Sequence, residues 1–343
     1  MKAVWQKYRL DFRFTAITSR DSMTHKDTYY IKVWHEDHPD VTGVGEAALF
    51  RGLSCEDSPE YEEVLDDVCA HMDRYAGNTD MLAPYPSIRF GVETALRDLA
   101  NGGTRHLYDS AWSAGESAIR INGLIWMGDR ETMNQRIRTK LDEGFRCIKV
   151  KIGGIDFNQE LEMLRHLRRI APAIEIRLDA NGAFSPDVAL ERLNVLAEIG
   201  IHSIEQPIRQ GQWEEMARIC SLSPIPVALD EELIGLNDAA ERARMLDAIR
   251  PSYIILKPTL IGGLKASEEW IAAATQRSIG WWVTSALESN IGLNAIAQWV
   301  ATQDTDMPQG LGTGQLYYNN VVSPLTLDGE CLVYDTSKQW GNI

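Results

Sequence analysis

Short apolar runs rich in β-branched residues recur from the middle of the chain onward. They read Ile148-Lys149-Val150-Lys151, Ile174-Glu175-Ile176-Arg177-Leu178-Asp179, Ile204-Glu205, Val227-Ala228-Leu229-Asp230 and Ile254-Ile255-Leu256-Lys257. Each has the length of a strand and is followed by a helix-length amphipathic stretch; in 158–170 the inward stripe is Leu161, Leu164, Leu167 and Ile170. Strand, loop and helix at such a beat are the signature of a parallel sheet. The beat begins near Ser117 and predicts a first strand over 119–125, a second over 146–152 and a seventh over 280–284. Helices are expected over 131–143, 158–170, from Ser185-Pro186, and over 212–220, 237–249, 264–275 and 291–301. An eighth strand is at most short, near 310–311, and the count predicts an α/β fold of the (β/α)7β, TIM-like kind.

The first 110 or so residues keep a different rhythm. Runs over 8–17 and 28–34 alternate or are β-rich, a polar loop over 19–26 separates them, and 43–47 reads as a third strand of an antiparallel meander. Helical patterns follow over 58–75, opened by Ser58-Pro59, and over 87–99, where Ile88, Val92, Ala95 and Leu99 share a face. The expected organisation is an α+β domain over 1–112, a barrel over 113–324, and a tail over 325–343 that returns to the small domain.

Composition narrows the function classes. A net charge of −15 with a pI near 5.0 argues against nucleic acid or an anionic membrane as partner, since both call for basic patches. Five cysteines, widely spaced and without a CxxC pair, predict reduced, mostly buried thiols and no zinc site. The N-terminus lacks an apolar signal core, and the most apolar stretch, 279–300, is interrupted by Glu288 and Asn290. A cytoplasmic protein is expected, and a homo-oligomer is compatible with the sequence.

The strand ends carry the chemistry. Lys151, Asp179, Glu205, Asp230 and Lys257 close five consecutive apolar runs, and in a (β/α) barrel such positions converge on one mouth. Three carboxylates there would repel one another unless a hard cation sat between them, and all-oxygen ligation suits Mg²⁺, with Mn²⁺ as a substitute. Lysines flank the acidic trio, and a lysine beside a cation and another ammonium has its neutral form favoured, as a base requires. The set looks built to remove a proton from carbon beside a carboxylate. A non-catalytic barrel holding a structural cation is the bland alternative, but it has no use for two flanking lysines.

Lys149 lies two residues before Lys151, on the same strand face, where the two ammonium groups would depress one another's pKa; alternatively it offsets carboxylate charge. Asn181 and Glu231 are candidates to orient the acidic groups, or else a turn residue and a helix-capping acid. Ser285, just past the seventh strand, is placed to donate a hydrogen bond to a substrate carboxylate or carbonyl. The Gly310-Leu311-Gly312-Thr313-Gly314 loop, with Gly312 and Thr313, is expected to line the substrate pocket through its backbone N–H groups.

The segments Lys149-Val150-Lys151-Ile152-Gly153, Leu178-Asp179-Ala180-Asn181-Gly182-Ala183, Ile204-Glu205-Gln206-Pro207, Ala228-Leu229-Asp230-Glu231 and Leu256-Lys257-Pro258 resemble the enolase superfamily, in its muconate-lactonising-enzyme-like subgroup. Flanking segments, Thr18-Ser19-Arg20-Asp21, Ser285-Ala286-Leu287-Glu288-Ser289-Asn290-Ile291-Gly292 and 310–314, are most similar to the o-succinylbenzoate synthases within it. That resemblance implies a hydro-lyase of menaquinone biosynthesis, with Lys151 the catalytic base, Lys149 its support, and Lys257 stabilising the intermediate from the opposite face. It also implies a small-molecule carboxylate substrate, with loops 19–25 and 49–53 reaching over the site. Ser19, Arg20 and Arg51 would then meet the distal part of the substrate, the arginines pairing with a second carboxylate unless they are ordinary surface residues. The rival within the superfamily is an N-acylamino acid racemase or dipeptide epimerase, which uses the same lysine pair. Dipeptide epimerases commonly carry an Asp-x-Asp pair after the last strand, and 310–314 has none.

Overall fold

The computed structural model describes residues 1–17 and 22–343. Ser19 and Arg20 therefore lie outside the described residues.

The N-terminal meander forms as β1 (Lys2–Ile17), β2 (Ser22–His35) and β3 (His38–Ala47), antiparallel in that order. β1 and β2 run further than the polar residues suggested: after an irregularity between Asp11 and Ala16, pairing resumes with Ala16 opposite Met23. The helix Tyr61–Ala70 begins three residues after Ser58, which does not cap it, and a second helix, Met72–Gly77, follows. The helix Pro86–Ala100 packs on the sheet through Ile88, Val92, Ala95 and Leu99 beside Tyr29, Ile31 and Val33. Its approach is close: a Cβ on Gly43 would strike the Ala95 carbonyl, and one on Gly45 the Gly91 carbonyl. Gly45→Ala is expected to destabilise the protein by about 1–3 kcal/mol through this overpacking, read as a lower denaturant midpoint at unchanged slope.

The rest of the chain builds a parallel sheet. β4 (Ala118–Arg120) and β5 (Gly123–Ile125) are followed by β6 (Cys147–Lys151), β7 (Glu175–Asp179), β8 (Ser203–Glu205), β9 (Val227–Leu229), β10 (Tyr253–Leu256) and β11 (Gly280–Val283). Strands β5 to β11 lie side by side in chain order, which is what right-handed strand–helix–strand crossovers produce. Gln309 bridges to Ile121 at one edge and Gly310 to Thr284 at the other, with Asn122 N–H donating to Gln309 O and Gly310 N–H to Val283 O. The apolar core comes from the outward-facing residues Ile148, Val150, Ile176, Leu178 and Ile204, packed on the surrounding helices.

Three expectations are corrected. The run 119–125 is two strands, because the chain changes partner at Ile121: its N–H bonds Glu330 O, and β4 pairs with β13 (Cys331–Tyr334) of the hairpin completed by β12 (Leu325–Asp328). Ile170 is 46% exposed and ends its helix outside the core, whereas Leu161, Leu164 and Leu167 are buried. Only Cys147 of the free cysteines is fully buried. The last residues touch the small domain: Lys32 Nζ donates to Ile343 O at 2.8 Å, and Trp340 and Ile343 pack against Tyr30 and Val44. No helix among the described residues is long and apolar enough to cross a membrane.

The meander is pinned to the parallel sheet by buried polar groups. Glu46 of β3, fully buried, accepts from Thr28 Oγ1 (2.7 Å), Ser289 N (2.8 Å), Ser289 Oγ (2.6 Å) and Gly292 N (2.8 Å), and so satisfies the first turn of the helix Asn290–Val300. Glu93 does the same for Leu264 N at 2.8 Å. These contacts hold the small domain over the mouth where the parallel strands end.

Candidate active site

Register places the charged strand ends side by side: Lys151 pairs with Asp179, and Asp179 with Glu205, across β6, β7 and β8. Asp230 and Lys257 directly follow β9 and β10. Lys151 and Lys257 therefore stand at the same, C-terminal, ends of strands four places apart in the parallel sheet. Both line a cavity of about 540 Å³ together with Lys149, Asp179, Asn181 and Glu231. The small domain supplies its roof through Phe14, Met23, Phe50 and Leu53.

The polar groups at its floor are buried, Lys257 only partly, and they form two bonded sets, one around Asp179 and one joining Lys257 to Asp230. Lys151 Nζ donates to Asp179 Oδ2 (3.0 Å) and Asn181 Oδ1 (2.7 Å), and Asn181 Nδ2 donates to Glu231 Oε1 (3.1 Å). Lys149 pairs with Asp179 Oδ2 (3.0 Å) and with Glu205 Oε2, and Lys257 with Asp230 Oδ2. Burial pushes the Asp179 carboxyl up, but Lys149, Lys151 and Lys257 outweigh it and hold that acid well below the ordinary range. Burial, then the neighbouring Asp179, drives Glu205 the other way, well above it.

The expected mutual depression of two lysines is corrected for Lys149. Burial lowers its pKa, but Asp179 and Glu205 more than reverse that and hold it above the usual lysine value. Lys257 behaves likewise, with Asp230 and Glu205 outweighing burial. The carboxylates, not the other ammonium, dominate the field at these groups.

The donor set fits a hard divalent cation. Asp179, Glu205 and Asp230 are 1–2% exposed, all offer oxygen, and Glu205 Oε1 meets no hydrogen-bond donor among the described residues. Buried carboxylates left in that state cost several kcal/mol each, on the order of what a bound cation offsets. As the side chains stand, no three acidic, His or Cys groups among the described residues enclose a metal position, since the ammonium groups of Lys149 and Lys257 lie on the same carboxylates. A cation drawing the three acids together would release these lysines from them.

Other expected residues fall differently. Ser285 lines the cavity, but its hydroxyl proton goes to Glu288 Oε2 (2.5 Å) while Oγ accepts from Thr313 Oγ1 (2.8 Å) and Leu287 N (3.1 Å), so it has no proton left for a substrate. Gly312 and Thr313 do line the cavity. Arg51 sits at its rim, tied to Asp57 Oδ1 (2.5 Å) and Ser58 O (3.3 Å). Two features escaped the sequence reading: Trp126, whose ring lies 5.7 Å from Lys151 Nζ, and the buried Glu288, which ties Ser285 to Thr259 Oγ1. An aromatic after a strand reads as core, and Glu288 announces itself only as a charge interrupting an apolar stretch.

Residues 132–334 match the family model described as Enolase C-terminal domain-like. The chain is 45% identical to the o-succinylbenzoate synthase of Desulfotalea psychrophila (strain LSv54 / DSM 12343) over 97% of its own length and 98% of that protein's. The chain belongs to the o-succinylbenzoate synthase family of the enolase superfamily. It is an enzyme of the lyase class. The crystal structure of MenC from the same bacterium superposes with a TM-score of 0.85 at 42% identity, covering 97% of this chain and 99% of that one. The substrate-liganded L-Ala-D/L-Glu epimerase of Bacillus subtilis superposes at 0.83 with 18% identity over 97% and 96%, a likeness of fold. Family membership implies a small-molecule substrate and a divalent metal.

Proposed function

We propose that this enzyme converts 2-succinyl-6-hydroxy-2,4-cyclohexadiene-1-carboxylate to o-succinylbenzoate by β-elimination of water, in menaquinone biosynthesis and in the cytoplasm. The observation that carries the reading is the 45% identity to an o-succinylbenzoate synthase across both chains, joined to a buried lysine at the cavity floor beside a carboxylate trio. The sheet is read as a (β/α)7β barrel over 113–324 that residues 309–310 close, with 1–112 as its cap.

Asp179, Glu205 and Asp230 would hold Mg²⁺, or Mn²⁺ in its place. Bound there, the cation supplies positive charge to the substrate's ring carboxylate as electron density moves onto it. Lys151, as the free amine, takes the proton from the ring carbon that bears the carboxylate, and the C–H electron pair moves into the carboxylate system. Asn181 and Asp179 fix the direction of its Nζ. The pair then returns as the C–O bond to the neighbouring hydroxyl breaks. The Lys151 ammonium gives that oxygen its proton, and water leaves an aromatic ring. Aromatisation favours the second half, so the barrier to be lowered is that of proton removal. Lys257, in the same cavity, contributes a fixed positive charge, and Lys149 beneath balances Asp179 and Glu205. The aromatic and aliphatic roof keeps water away from the charge that forms.

Purified protein with Mg²⁺ and the cyclohexadiene substrate is expected to release o-succinylbenzoate, followed chromatographically. Absence of that product, with substrate recovered unchanged, rejects the assignment.

A further inference from the structure

We infer that Arg136, on the helix Arg130–Asp142, is the residue that receives the second, succinyl carboxylate of the substrate. This rests on the reading above, in which the substrate carries one carboxylate on its ring and another at the end of a short chain. The ring carboxylate goes to the floor, so the second needs a cation on the cavity wall whose charge is not already spent. Apart from the floor lysines, the described cations lining the cavity are Arg51, Arg136 and Lys140. Arg51 is neutralised by Asp57, and its side chain is 52% exposed. Lys140 is neutralised by Glu143 at 2.5 Å and lies over the Phe145 ring.

Arg136 differs from both. Its Nη1 donates to two backbone carbonyls, Trp126 O and Met127 O, each at 2.9 Å, which fixes the guanidinium without cancelling its charge. Among the described residues no carboxylate pairs with it. Burial lowers its pKa, with Asp129 only partly opposing, as expected of a half-buried cation without a counter-ion. A guanidinium held by one nitrogen keeps an edge for bidentate contact with a carboxylate.

Its position suits the length of the substrate. Trp126 lies 5.7 Å from Lys151 Nζ, Phe14 of the cap stands edge-on to Trp126 at 5.9 Å, and Arg136 lies 5.4 Å from the Phe14 ring. Two aromatic rings thus separate the base from the guanidinium, forming an apolar wall between two cationic ends. A flat ring with a succinyl arm matches that sequence of surfaces. Phe14 comes from the cap and Arg136 from the helix after β5, so both parts of the fold build the arm site.

Arg136→Gln and Arg136→Lys are the test, with Mg²⁺ present throughout. For Arg136→Gln the KM is expected to rise roughly 10–100-fold with kcat changed far less, as loss of a charge-assisted contact made equally in ground and transition states predicts. Arg136→Lys should fall between it and the wild type. With the succinyl carboxylate replaced by its primary amide, wild type and Arg136→Gln should have the same KM. In a turnover-independent arm, calorimetry should find that wild type binds o-succinylbenzoate more tightly than benzoate, and that Arg136→Gln loses the preference. If wild type binds with that preference but forms no product, the dehydration reading fails and the arm site stands. An unchanged KM and preference in both variants overturns the inference, as does an equal loss on acid and amide. So does loss of the preference in Arg51→Gln or Arg20→Gln with Arg136→Gln unaffected.

Discussion

Lys151→Ala is expected to lower kcat by roughly 10²–10⁴-fold, the range over which a positioned general base contributes, while the protein stays folded. The argument is geometric. Lys151 is the lysine whose Nζ bonds both Asp179 and Asn181 at the cavity floor, with the Trp126 ring beside it. Its removal leaves Asp179 still paired with Lys149 at 3.0 Å, so the buried acid keeps a counter-ion and the floor does not collapse. The loss should therefore appear in kcat, not in the melting temperature. Solvent deuterium incorporation at the ring carbon beside the carboxylate gives a second readout, because it reports proton removal without requiring water to leave. Wild type in D₂O is expected to exchange or eliminate, and Lys151→Ala to do neither. Exchange at the wild-type rate in the variant would assign the base elsewhere, with Lys257 of the same cavity the first candidate.

What could be read from the sequence, and what could not, divides along the range of the interactions. The positions of Lys151, Asp179, Glu205, Asp230 and Lys257 at strand ends follow from local periodicity, and register then sets the first three side by side. Lys149 and Lys151 share a face because strand side chains alternate, a rule that needs no tertiary information. The run 119–125 reads as one strand because its break at Ile121 is set by Glu330 and Gln309, some two hundred residues away. Ser285 lines the cavity just past β11, but nothing in an apolar stretch reveals that Glu288 turns back to take its proton. The wall of Trp126, Phe14 and Arg136 was invisible for a related reason. It joins a strand end, a helix and the tip of a β-hairpin, and each residue alone is ordinary for its element. The direction of the lysine pKa shifts was also a matter of counting. Two neighbouring ammonium groups suggest depression, but four buried acids around three lysines reverse the sign for Lys149 and Lys257.

That same count makes Glu205→Gln the sharpest test of the metal site, because the variant is expected to gain in one state what it loses in another. Without metal, Asp179, Glu205, Asp230 and Glu231 face Lys149, Lys151 and Lys257, and Glu205 Oε1 has no donor among the described residues. Burial and the neighbouring Asp179 already favour the neutral form of this carboxyl, and a nearly isosteric amide keeps a neutral group there without the cost of ionisation. It also provides an N–H₂ group that can donate to Asp179 or Asp230. The metal-free variant should therefore melt at or above the metal-free wild type. Adding Mg²⁺ should stabilise wild type by about 2.7 kcal/mol at a hundred times its dissociation constant, and the amide, one ligand short, should show little of that increment. Activity should fall with it. A stability test is preferable to activity alone, since loss of turnover would follow equally from a distorted floor. Scanning calorimetry of both proteins with and without Mg²⁺ decides the matter: a metal-dependent rise in Glu205→Gln equal to that of wild type would remove this carboxylate from the ligand set, and a metal-free variant much less stable than wild type would mean that Glu205 is held by interactions other than those its surroundings display.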